Sequence, residues 1–90
     1  MTKLKVFNYL DSNCSYIAIE RRLLKELRLL DQISIRSRES KTGMTVYLDK
    51  EFDLDILIDA LFELGIELEF IYRYEEWCFV RNMPSFNPGV

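Results

Sequence analysis

Ninety residues make one domain, and an apolar content of 49% is enough to fill one small core. The chain has no histidine, two cysteines and three glycines, which excludes the commonest general base, an ordinary zinc site built by one chain, and a glycine-rich phosphate loop. The net charge of −3 hides a division: residues 1–45 carry nine Lys/Arg and five Asp/Glu (net +4), and residues 46–90 carry three and ten (net −7), a split that suggests surfaces made for partners.

Residues 3–10 alternate imperfectly, with Leu4, Val6 and Leu10 on one side, which predicts a strand, although Leu4, Phe7 and Leu10 also fit helical spacing. Residues 11–15 are rich in turn and N-cap types. Tyr16, Ile19, Leu23, Leu27 and Leu30 then recur at spacings of three and four, predicting a helix over 16–30 with a basic stripe of Arg21, Lys25 and Arg28 on its other side. Residues 33–38 and 44–48 alternate apolar with polar and are separated by Lys41-Thr42-Gly43. This predicts a β-hairpin with Ile33, Ile35, Met44 and Val46 turned inward and Gly43 at positive φ.

The second helix has Asp53 as N-cap, Phe52 and Leu57 at staple positions, and a core stripe of Leu54, Leu57, Ile58, Leu61 and Leu64. Gly65 stands where a left-handed residue ends a helix. Residues 66–74 alternate again as a strand, and a further short strand is expected at 77–81, with Trp77 and Phe79 closing the core. The order β-α-β-β-α-β plus an extra C-terminal strand predicts an α+β, ferredoxin-like two-layer sandwich: an antiparallel sheet with two helices on one face. Residues 1–82 form the domain and residues 83–90, with two prolines and a glycine, an irregular tail. A winged helix fits less well, because about 20 residues between Leu10 and Asp31 hold one helix where that fold needs two.

No apolar run approaches the length of a membrane span, and the amino end lacks a signal-peptide pattern. Cys14 and Cys78, far apart and outside any CxxC spacing, read as small buried hydrophobes of a cytoplasmic protein. Asp49, Glu51, Asp53 and Asp55 lack the glycine and terminal glutamate of a calcium loop, and Glu75-Glu76 reads as an exposed turn. No metal, cofactor or catalytic residue is expected.

The expected function is therefore a non-enzymatic protein-binding module, a small cytosolic regulator or inhibitor. It would dock through the acidic stripe Asp55, Asp59 and Glu63, with Arg21, Lys25 and Arg28 as a basic counterpart that allows a split docking surface or a head-to-tail homodimer. The dense acids between Asp49 and Glu76 fit a basic protein or a nucleic-acid mimic. The alternative is single-stranded RNA binding on the open sheet face, where Phe7, Tyr9 and Tyr47 would stack bases and Arg36 and Arg38 would pair phosphates, beside Lys5 and Arg73. A bland reading of that face is cross-strand pairing of Arg36 or Arg38 with Glu67 or Glu69. A small-molecule regulatory domain is the third reading, resting on fold analogy alone.

Overall fold

The computed structural model describes residues 2–89. The first strand lies where its alternation predicts, as β1 (Thr2–Leu10). A tight turn follows: the Asp11 carboxylate accepts from the backbone amides of Asn13 (2.8 Å) and Cys14 (2.9 Å). The chain then returns as β2 (Ser15–Glu20), antiparallel to β1, with Tyr9 opposite Tyr16.

This hairpin corrects the helix expected over 16–30. Only α1 (Arg21–Glu26) is α-helical there, and a 3-10 turn begins at Leu30. Tyr16, Ile17 and Ile19 are all buried, because β2 is a central strand covered on both faces. A strand buried on both sides reads as a continuous apolar run, which periodicity alone does not separate from a helix. Helix α1 ends at Arg28, which takes φ 59°. The Leu29 amide reaches the Leu24 carbonyl at 2.9 Å and the Arg28 amide the Lys25 carbonyl at 3.0 Å. That is a Schellman ending, closed by the buried pair Leu24 and Leu29.

Residues 33–37 form turns rather than a strand. Ile33 is buried, but Ile35 is 77% exposed and Met44 is exposed as well. The reason is Asp53. Its carboxylate, almost wholly buried, accepts from the Ser34 amide (3.1 Å), the Ser34 hydroxyl (2.8 Å) and the Ser37 hydroxyl. Three donors bend the segment around one carboxylate, and Asp53 makes no cap bond to its own helix. The hairpin shrinks to β3 (Arg38–Glu39) against β4 (Thr45–Asp49), turning through Gly43 at φ 77°.

Helix α2 (Leu54–Glu63) buries Leu54, Leu57 and Leu61 and ends at Gly65, which takes φ 72° as its position predicts. Ile58 and Leu64, expected in the core stripe, are exposed. Phe52 is also exposed and lies 4.2 Å beneath the Arg36 guanidinium. Strand β5 (Ile66–Tyr74) follows.

The result is a small α+β domain with a five-stranded mixed sheet, order β3-β4-β2-β1-β5, and two helices. Strand β5 runs parallel to β1, and the other pairs are antiparallel. The sheet is thus neither wholly antiparallel nor in the ferredoxin-like order: β1 and β2 are joined by a tight turn, where that fold places a crossover helix. Both helices bury into one core on one face, where Leu24, Leu54, Leu57 and Leu61 meet Val6, Ile17, Ile19, Val46 and Leu48. Each such side chain contributes about 1.5–3 kcal/mol by leaving water.

The second face is covered by the chain's own end. Residues 77–81 are not a strand; Phe79–Asn82 make a single 3-10 turn. Cys78 and Val80 pack on Tyr16, with Tyr9, Tyr47 and Phe79 around them. Trp77, expected in the core, is 58% exposed and lies 4.5 Å beneath the Arg81 guanidinium. Beyond the turn the irregular segment runs back along β3. The Glu39 amide donates to the Pro84 carbonyl at 3.0 Å, and the Phe86 amide to the Ser37 carbonyl at 2.8 Å. Phe86 is 3% exposed and belongs to the main core. Met1 and Val90 lie outside the described residues.

Candidate functional site

The fold treats the candidate groups differently. Arg21 is engaged internally. Its Nε donates to the Gly43 carbonyl (2.6 Å), and its Nη2 donates to Glu39 (2.9 Å) and to the Asn87 carbonyl (2.8 Å). Its guanidinium also lies 5.2 Å from the Phe86 ring centre. It therefore holds the chain end in place and is not an open docking cation. Lys25 and Arg28 are exposed, but Arg28 sits past the helix in the left-handed turn. The basic stripe does not exist as a continuous helix face.

The aromatic-basic sheet face is largely taken. The Phe79 ring sits 4.9 Å from Tyr9 and 5.8 Å from Tyr47, both edge-on. Arg38 Nη1 donates to the Met83 carbonyl at 3.0 Å, and its buried Nε has no hydrogen-bond partner among the described residues. Arg36 lies in the turn segment against Phe52. Phe7 remains open, with Arg73 5.2 Å above its ring. Bases stack only on exposed rings, and of Phe7, Tyr9 and Tyr47 only Phe7 is exposed. Nor do Arg36 or Arg38 reach Glu67 or Glu69, because β3 and β5 are opposite edges of the sheet. Lys3 and Lys5 are the neighbours of Glu67 and Glu69 in the β1–β5 ladder.

The acidic stripe is intact. Asp55, Asp59 and Glu63 are all exposed on α2, and among the described residues none forms an ion pair. Two apolar side chains share this exposed side: Ile58, 38% exposed, and Phe62, 67% exposed, one helical turn apart. Glu63 lies in the last turn, which contains no basic residue. An anion there opposes the helix dipole, at a cost of about 0.3–1 kcal/mol.

Sequence reasoning missed Asp11 as an organiser. Its side chain joins the β1–β2 turn to the C-terminal segment, accepting from Arg81 Nε (2.6 Å), Arg81 Nη2 (2.9 Å) and the Cys78 amide (3.0 Å). Arg81, and next the Cys78 amide, hold the Asp11 carboxyl well below the usual carboxylate range, and Asp11 in turn raises Arg81. Burial pushes the Cys78 thiol and the Tyr16 and Tyr47 hydroxyls upward. Asp11 carried one legible signal, its place before a turn; its partner 70 residues away did not. The two cysteines are free, Cys78 buried and Cys14 partly so.

Two open clefts flank the sheet. Pairing of β1 with β2 stops at Asn8–Ile17, and the strands part around a space of about 570 Å³ lined by Leu4, Val6, Ile19, Leu23, Leu61 and Ile66 among others. A more polar one of about 720 Å³ lies between the β1–β2 turn and residues Arg36, Arg38 and Lys50. Among the described residues no three His, Cys, Asp or Glu side chains converge as metal ligands, and no helix is long and apolar enough to cross a membrane. Comparison with known families, curated proteins and solved structures finds no match to this chain.

Proposed function

We propose that the protein is a non-enzymatic protein-binding module, a small cytosolic regulator that docks a basic partner on the outer side of α2. The observation that carries this reading is the pairing of exposed Ile58 and Phe62 with three acids that form no ion pair among the described residues. An aromatic anchor supplies desolvation energy, and charges around it supply encounter rate and selectivity. The unfavourable placement of Glu63 at the helix end fits a residue kept for an intermolecular contact. Two free thiols suit a reducing compartment.

The partner chemistry follows from the same side chains. It presents Lys or Arg around an apolar pocket able to take the Phe62 ring. The test is affinity capture from a lysate of the native source, with nuclease, using the wild type, Phe62→Ala, and Asp55→Asn/Asp59→Asn/Glu63→Gln. A near-stoichiometric protein lost with both variants supports the reading. A protein retained by both places the docking surface elsewhere and overturns it.

A further inference from the structure

Strand β5 is a nine-residue edge, paired with β1 along its whole length, and among the described residues no strand pairs with its other side. Two flanking hydrogen bonds establish which backbone groups are free. The Gly65 carbonyl accepts from Thr2, and the Glu75 amide donates to Leu10. Backbone groups alternate sides along a strand, so the odd-numbered residues of β5 face β1. Ile66, Leu68, Phe70, Tyr72 and Tyr74 point their N–H and C=O groups away from the sheet. A long edge of this kind is a template for another strand.

We propose that β5 pairs antiparallel with β5 of a second copy, making one continuous sheet across a two-fold axis at Phe70. This rests on the edge itself and is independent of the α2 docking reading. The register is chosen by charge and overlap. With Phe70 opposite Phe70, all nine residues overlap and Leu68 stands opposite Tyr72. Glu67 of each copy stands opposite Arg73 of the other, on the face away from the helices, at a non-hydrogen-bonded position where side chains approach most closely. A two-fold axis at Glu69 sets the two Glu69 carboxylates against each other. An axis at Ile71 shortens the overlap and sets Glu67 against Glu75. Odd offsets put inward-pointing backbone groups against outward-pointing ones. Neither Glu67 nor Arg73 forms an ion pair among the described residues of one chain; Arg73 donates only to the neighbouring Tyr72 carbonyl, at 3.3 Å. The pairing joins both charges.

The experiment is sedimentation equilibrium of the full chain up to millimolar concentration. It compares wild type, Glu67→Arg, Arg73→Glu, the double swap Glu67→Arg/Arg73→Glu, and Tyr72→Pro, each checked for native circular dichroism. A wild-type dimer is expected. Each single charge reversal sets like charges opposite each other twice and weakens dimerisation about tenfold, and the double swap restores it. Tyr72→Pro removes an outward amide and weakens it without loss of the monomer fold. Amide exchange reports the same event independently: Leu68, Phe70 and Tyr72 gain protection as wild-type concentration rises, while Glu69 and Ile71 do not change. A wild type that stays monomeric overturns the proposal. So does a dimer indifferent to the charge reversals, or one whose even-numbered β5 amides stay unprotected.

Discussion

The two edges of the sheet are built on opposite plans. The β3 edge has two residues, and the chain end lies along it with Phe86 in the core and Arg21 bridging Gly43, Glu39 and Asn87. The β5 edge has nine residues and, among the described residues, no strand beyond it. A short, capped strand is a common way to stop edge-to-edge pairing, whereas a long bare strand invites it. Residues 83–89 close one side, and among the described residues the other stays unpaired.

Breaking the closed side has the largest expected effect. Phe86→Ala removes a ring from the main core and the anchor of the cap, and destabilises by about 3–5 kcal/mol, read from urea unfolding. A change below about 1 kcal/mol would show that the cap contributes little to the fold.

The open side is sharpened by two prolines one residue apart. Ile71 faces β1 with its amide and Tyr72 faces away, from the alternation established by Gly65 and Glu75. Ile71→Pro removes a ladder bond and destabilises the monomer, while Tyr72→Pro, at an outward amide, leaves monomer stability much less changed, both read from urea unfolding. Equal effects would mean that the backbone parity assigned to β5 is wrong.

A third comparison uses pH. Asp11 anchors the segment that leads to the cap, and its carboxyl is depressed by Arg81 and the Cys78 amide. A depressed carboxyl contributes stability above its unfolded value of 3.8, and that contribution is lost as pH falls through the folded value. The wild type therefore weakens as pH drops below about 4, and Asp11→Asn, already lacking the anion, loses less over the same window. Parallel acid profiles for the two proteins would remove Asp11 from the account.

Much of the fold was legible where one rule decided each element. Leu54, Leu57 and Leu61 at helical spacing, ended by Gly65, gave α2, and the alternation of residues 66–74 gave β5. The α2 acids were legible for a related reason, since exposed charge needs no partner to be recognised. Tyr16 to Ile19 were not legible as a strand, because both faces are buried and the alternation vanishes. Residues 33–37 alternate like a strand, but their serines serve Asp53, a partner 16 to 19 residues distant. The sheet-face aromatics Tyr9 and Tyr47 were recognised, but not their cover, which arrives from Phe79.

By itself, then, the sequence determined the class of object: one small α+β core, a division of charge along the chain, and an acidic amphipathic helix. These follow from local periodicity and composition, which each segment carries within itself. Only the tertiary structure decided the strand order, the parallel pairing of β5 with β1, the burial of Asp11 and Asp53, and which edge is closed. Each of those depends on groups far apart in the chain meeting in space, where burial and hydrogen bonding outweigh local preference.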